Sequence, residues 1–225
     1  MALKGHSSPV YSAAVSPDSK TLVSGDLDGN IIVWNLLSLR QVAKVNAHNG
    51  LVKSLDISSD GRWIASGSED KTTKVWDYRK ANSGVLAAPV EVLDFSSHVW
   101  CARFSPDSEV LAVGAHSEPI CVWNTAGFEE IGRLGASRNT WHLEFSPNGL
   151  RLMAARSSDF EVFNTYTGEL LAKVRGHGNY TRAISVLPNG NQLVSTGDDG
   201  GGLKLWTLDF STYDRLFDDW LRSLE

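Results

Sequence analysis

The chain has 225 residues, is 42% hydrophobic and carries a formal net charge of −5 with only two cysteines. An acidic balance without a Lys/Arg-rich stretch argues against a duplex nucleic-acid partner. Two cysteines build neither a disulfide framework nor a four-ligand zinc site, and no apolar run approaches the roughly 20 residues that span a bilayer. Met1–His6 lacks the apolar core of a signal peptide. The expectation is a soluble intracellular protein, cytoplasmic or, in a eukaryote, nuclear, with Cys101 and Cys121 as small apolar filler in a reducing compartment.

In chain order, the first strand signal is VYSAAV, Val10–Val15, followed by a Pro-Asp-Ser turn. TLVSG (Thr21–Gly25) comes next, then the Asp28-Gly29-Asn30 hairpin signal and the apolar run Ile31–Trp34. A less regular connection leads to QVAKV, Gln41–Val45. The same order then returns. Segments ending in an aromatic recur at Trp34, Trp76, Trp123, Phe163 and Trp206, spaced by 42, 47, 40 and 43 residues. Ahead of each lies a second shared phrase: SPDS at 16–19, SSDG at 58–61, SPDS at 105–108, SPNG at 146–149 and LPNG at 187–190. Two phrases at one phase, five times over, define a repeat. Several strands are apolar at successive positions, which suits sheets covered on both faces, as radial stacking provides.

The dipeptides Gly5-His6, Ala47-His48 and Gly176-His177, with the terminal Trp-Asn or Trp-Asp, make residues 1 to about 208 resemble the WD40 family. That resemblance implies an all-β fold: a WD40-type β-propeller of five four-stranded antiparallel blades over residues 1–209, with residues 210–225 set apart. It also implies that a His, a Ser, an Asp and a Trp form a hydrogen-bonded structural tetrad inside a blade. Counting back from each Trp gives His6, Ser24, Asp28 and Trp34; His48, Ser66, Asp70 and Trp76; and His177, Ser195, Asp199 and Trp206. Blades 3 and 4 depart from the pattern. Phe95, Val113 and Ser117 hold the polar positions of the third, and Ala136, Met153 and Ser157 those of the fourth, where Phe163 replaces Trp. A half-satisfied buried polar network is worse than none, so these two blades are expected to stand on packing alone.

Three His/Ser/Asp sets invite a hydrolase reading, but a catalytic constellation is needed once, in a cleft, with an oxyanion hole. Recurrence at one phase beside a Trp is the mark of an internal brace. Gly200-Gly201-Gly202 is followed by no Gly-Lys-Ser/Thr and is a turn rather than a P-loop. His116 and His142 stand isolated. No catalytic residue, cofactor or metal is expected.

The family resemblance makes the position just after the first inward residue of each inner strand a frequent contact site. In this chain those positions are Tyr11, Lys53, Trp100, Trp141 and Arg182, residue types mostly enriched at binding hot spots. The alternative is that Trp100 and Trp141 plug the channel. In the tail, Tyr213, Leu216, Phe217, Trp220, Leu221 and Leu224 fall at helical spacing. A helix that short needs a dock, on its own propeller or on a partner, and Phe217 and Trp220 are the contacts it would offer. The stub Ala2–Lys4 is too short to complete the last blade firmly. That leaves a closed ring, an open arc completed by another subunit, or self-association. The function expected is a non-catalytic protein–protein interaction scaffold or adaptor in a multiprotein complex, whose protein partners cover or complete an open propeller edge. The alternative is a sensor or regulatory module of a signalling NTPase system.

Overall fold

The computed structural model describes residues 2–86, 88–198, 200 and 202–208. Blade 1 is built from β1 (Val10–Val15), β2 (Thr21–Asp26), β3 (Asn30–Asn35) and β4 (Arg40–Asn46). Blade 2 follows with β5 (Val52–Ile57), β6 (Trp63–Ser68), β7 (Thr72–Asp77), the helix α1 (Tyr78–Asn82) and β8 (Glu91–Asp94). Blade 3 comprises β9 (Val99–Phe104), β10 (Val110–Ala115), β11 (Glu118–Asn124) and β12 (Glu130–Arg138). β13 (Thr140–Phe145), β14 (Arg151–Arg156), β15 (Asp159–Asn164) and β16 (Leu170–Arg175) form blade 4. Blade 5 has three strands among the described residues, β17 (Thr181–Val186), β18 (Gln192–Gly197) and β19 (Lys204–Thr207). All are antiparallel meanders, so the all-β propeller architecture is established, with three strands of the fifth blade among the described residues.

The recurrent SPDS phrase is the turn between the first two strands. Ser16 Oγ donates to Asp18 Oδ1 at 2.6 Å and accepts from Thr21 N at 2.9 Å, while Ser19 takes a positive φ of 58°. Blades 2 to 4 repeat this with Ser58 and Asp60, Ser105 and Asp107, and Ser146 and Asn148. The fourth residue of the phrase is left-handed each time, which explains Gly61, Gly149 and Gly190 there. The helix α1, unforeseen in the sequence, is capped by Asp77, whose side chain accepts from Lys80 N. It ties blade 2 to blade 1 through a 3.0 Å bond from Tyr78 Oη to Thr21 Oγ1.

The core is a series of inter-blade layers. Val23, Ile31 and Val33 of blade 1 meet Leu55, Ile64 and Trp76 of blade 2. Ala65 and Val75 then meet Leu111 and Trp123, Val122 meets Leu152 and Phe163, and Val162 meets Ile184 and Leu193. Close approach requires small residues on the second strand: a Cβ on Gly25 would lie 2.5 Å from Val52, and one on Gly67 2.6 Å from Val99. Inner strands are also stitched by side chains. Ser12 Oγ donates to Val52 O at 2.8 Å, Asp56 accepts from Phe104 N at 2.7 Å, and Glu144 accepts from Val186 N at 3.0 Å.

The inner strands β1, β5, β9, β13 and β17 adjoin in chain order, and among the described residues no comparable packing returns from blade 5 to blade 1. Burial agrees. Val10 is 51% exposed where its counterparts Val52 and Val99 are at 0%, and Leu205 is 62% exposed where Val33, Val75 and Val162 are at 0%. Over the described residues the blades therefore follow one another as an arc, with an exposed apolar position, Val10 or Leu205, at either end.

Candidate functional site

The five positions ahead of the channel come together as one continuous stack. Lys53 Nζ lies 4.5 Å from the centre of the Trp100 ring and 5.7 Å from that of Tyr11. Trp100 and Trp141 pack with ring centroids 4.7 Å apart, and the Arg182 guanidinium sits 4.6 Å over Trp141. Tyr180, which the sequence reading missed, extends the stack, 5.6 Å edge-on from Trp141 and 5.0 Å from Arg182. Its only signal was an aromatic two residues ahead of Arg182, in the loop rather than the strand. Glu69 pairs with Lys53 at 3.1 Å, and Asp198 accepts from Arg182 Nε at 2.9 Å, so both cations are held in place. Tyr11 and Tyr180 are 56% and 41% exposed, whereas Trp100 and Trp141 are partly buried. The indoles thus form a floor and the tyrosines its open ends. Among the described residues, Nε1 of both tryptophans and Nδ1 of neighbouring His142 have no hydrogen-bond partner.

Beneath this face the second blade holds a complete polar quartet. Trp76 Nε1 donates to Ser66 Oγ at 2.9 Å, Ser66 Oγ lies 2.8 Å from His48 Nε2, and His48 Nδ1 lies 2.9 Å from Asp70 Oδ2. A neutral imidazole with its proton on Nδ1 would carry one relay: indole N–H to hydroxyl, hydroxyl to Nε2, Nδ1–H to carboxylate. Burial would push Asp70 up, but hydrogen bonds from His48 and Thr72 outweigh it and hold the carboxyl well below the usual range. In blade 5, Ser195 Oγ is 2.9 Å from His177 Nε2 and accepts from Trp206 Nε1 at 2.8 Å; Asp199 lies outside the described residues.

Blade 1 corrects the sequence assignment. Ser24 joins His6 Nε2 and Trp34 Nε1 at 2.7 Å each, but the acid on His6 Nδ1 is Asp26, at 2.7 Å, not Asp28. Asp26 ends β2 and is fully buried, where its carboxylate also accepts from the backbone of Asp28 and Asn30; Asp28 is exposed in the turn. Each hydroxyl in these quartets is buried and engaged on both sides, so none is placed as a nucleophile.

The degenerate blades solve the problem in two ways. In blade 3, Phe95 meets Trp123 edge-on at 5.5 Å, an apolar replacement for the imidazole. Blade 4 does not stand on packing alone. Arg156, at 0% exposure, donates through Nη1 to Glu161 Oε2 at 3.0 Å and through Nη2 to the carbonyl of Ala136, the residue at the missing His position. Glu161 is shared with Arg138 and Lys173, each at 3.3 Å. The residue in the Ser position is Ala154, opposite Leu143, while Met153 faces blade 5. Phe217 and Trp220, with the helix expected over residues 210–225, lie outside the described residues.

Radial antiparallel sheets braced by His–Ser–Asp–Trp quartets define a β-propeller protein of the WD-repeat kind. The chain belongs to the WD40 family: the model described as "WD domain, G-beta repeat" matches residues 1–35, 39–77, 89–124 and 168–207. The longest unmatched stretch, 125–167, contains the last strand of blade 3 and the first three strands of blade 4, where Arg156 and Glu161 stand in place of a quartet. Among curated relatives, the chain is 30% identical over 207 residues to Apoptotic protease-activating factor 1 of Homo sapiens, covering 88% of this chain and 16% of that protein. It is 27% identical over 169 residues to Protein HIR1 of Candida albicans, covering 55% of this chain and 18% of the other. It thus spans less than a fifth of the length of either. Among solved structures, the Cps50 (Swd1) β-propeller domain of Myceliophteria thermophila superposes with a TM-score of 0.76 at 17% identity, over 87% of this chain and 64% of that one. No helix among the described residues is long and apolar enough to cross a membrane.

Proposed function

We propose that this chain is a non-catalytic scaffold that holds another protein subunit on the face lined by Tyr11, Lys53, Trp100, Trp141 and Arg182, within a multiprotein complex. The observation that carries the reading is the unbroken aromatic–cation stack, with rigid indoles as the floor and two exposed tyrosines at its ends. Tyr, Trp and Arg dominate interface energetics because they combine large rigid area with directional donors. The apolar ends of the arc add a second contact, since faces of that kind are elsewhere buried between blades. A partner that covers or completes them fits the geometry. The buried thiols of Cys101 and Cys121 support a reducing intracellular compartment, and a net charge of −5 supports a protein partner over duplex nucleic acid.

A second reading, a regulatory or sensor module of a signalling NTPase system, has one observation in its favour. Most of the chain aligns with a small part of a much longer protein named as a protease-activating factor. The two readings share the binding face and differ in what it controls.

The test is affinity purification from the native source with the wild-type chain and the Trp100→Ala, Arg182→Ala pair. The pair should lose specific partners while its far-ultraviolet circular dichroism and melting temperature stay close to wild type. Unchanged partner profiles would remove this face from consideration.

A further inference from the structure

Beside Trp100 the surface dips into a cavity of about 370 Å³ bordered by Lys71, Ser96, Ser97, His98, Trp100 and His116. We propose that this concavity takes the carboxylate side chains of an acidic segment of the partner protein. The inference rests on the partner-binding reading of the adjoining face and names the chemistry of what is bound.

The charge of this corner follows from how blade 3 lost its quartet. At the turn between the second and third strands, blade 2 carries Glu69-Asp70 and blade 5 Asp198-Asp199, but blade 3 has His116-Ser117 in their place. The histidine missing from its buried position, now Phe95, has a neighbour three residues on, His98, which is exposed. In a chain with a net charge of −5, this corner thus carries His116 and Ser117 where blades 2 and 5 carry acids, with Glu118 as the carboxylate that follows.

The nearby carboxylates are engaged within the protein, Glu118 through neutral donors that leave its charge in place. Glu69 is paired with Lys53, Asp70 serves His48 and Thr72, and Glu118 Oε1 accepts from Ser96 N, Ser96 Oγ and Ser97 N at 2.8–3.0 Å. No carboxylate is among the lining residues, and among the described residues neither Lys71 nor His98 forms an ion pair. The cavity wall is also fixed in shape. Phe95 N donates to Lys71 O and His116 N to His98 O, each at 2.9 Å, so the segments bearing the three basic side chains are tied together. Lys71 supplies a point charge, the imidazoles supply N–H donors, and Trp100 supplies an apolar floor continuous with the stack. An anionic side chain on a peptide already lying over Trp100 and Trp141 would find donors on three sides.

The experiment uses the full chain and a fluorescein-labelled Gly-Glu-Glu-Tyr-Glu-Glu-Gly peptide, with its Gln-for-Glu counterpart, read by anisotropy. The Glu peptide should bind and the Gln peptide should not, and raising salt should weaken binding. The exposed-residue variant Lys71→Gln, His98→Asn, His116→Asn should lose about tenfold or more in affinity at an unchanged melting temperature. The same variant should recover less of the native partner. Equal binding of both peptides, equal affinity of wild type and variant, or capture on phosphatidylserine vesicles in place of the peptide would overturn the assignment. Failure here with partner loss in the Trp100→Ala, Arg182→Ala pair sinks the acidic-segment inference alone; no partner loss in that pair sinks the face itself.

Discussion

Blade 4 allows the sharpest energetic prediction, because its buried ion pair is asymmetric. Replacing Glu161 with Leu strands Arg156, at 0% exposure, with only carbonyl oxygens for partners. An uncompensated buried charge costs about 3–5 kcal/mol. Replacing Arg156 with Leu leaves Glu161 still paired with Arg138 and Lys173, and frees mainly the Ala136 carbonyl. That loss should be about 1–2 kcal/mol. The double variant should be more stable than Glu161→Leu alone, since the stranded charge is gone. Urea denaturation followed by tryptophan fluorescence orders the three midpoints. If Arg156→Leu proved at least as damaging as Glu161→Leu, or the double variant worse than both, the pair would not be the brace of this blade.

Four further outcomes are expected. Asp26→Ala should destabilise the protein by about 2 kcal/mol while Asp28→Ala stays within about 0.5 kcal/mol, as chemical denaturation would show, because only Asp26 is buried on His6. Ser66→Ala leaves both the Trp76 N–H and His48 Nε2 without a partner and should lower stability by about 1–3 kcal/mol, with Ser66→Thr recovering part of it. Gly67→Ala should destabilise by about 1–3 kcal/mol through its clash with Val99, and Val99→Ala in the same chain should relieve the damage, measured as a double-mutant cycle. Burial, reinforced by the Arg103 charge, pulls the His142 imidazole down to about 4. The native state therefore stays neutral where the unfolded chain takes a proton, so this contribution is whole above about pH 6.5 and drains away as pH falls towards 4. His142→Gln should flatten the decline in unfolding free energy across that window; an identical slope would contradict it.

The repeat and the residues that meet in the quartet of blade 2 were legible because each depends on residue types at invariant spacing. Where spacing varied, legibility failed in definable ways. The β14–β15 hairpin is one residue shorter than its counterparts: Phe163 faces Leu152, eleven positions back, whereas Trp76 faces Ile64, twelve back. Counting back from the aromatic therefore landed on Met153 rather than Ala154, and a slip of one residue in a strand changes its face. In blade 1 two aspartates occupy one turn, and spacing favoured the wrong one because burial, not phase, selects Asp26. Arg156 and Glu161 belong to no repeated pattern, so nothing in a period marks them as a pair. The stack on the narrow face was visible as five positions, but its continuity through Tyr180 depends on how a loop folds over a strand. Ring closure was left among three outcomes by the sequence, and the exposure of Val10 and Leu205 is what favours an arc over the described residues.

The claim on which the functional reading rests is that a protein partner lies against the indole floor between Tyr11 and Tyr180. Hydroxyl-radical footprinting of the purified complex, beside the free chain, tests it most directly. Tyr11 and Tyr180, exposed in the free chain, should lose most of their reactivity in the complex while Leu37 and Ile131 on the outer rim keep theirs. Undiminished oxidation of both tyrosines in a stoichiometric complex would place the partner elsewhere.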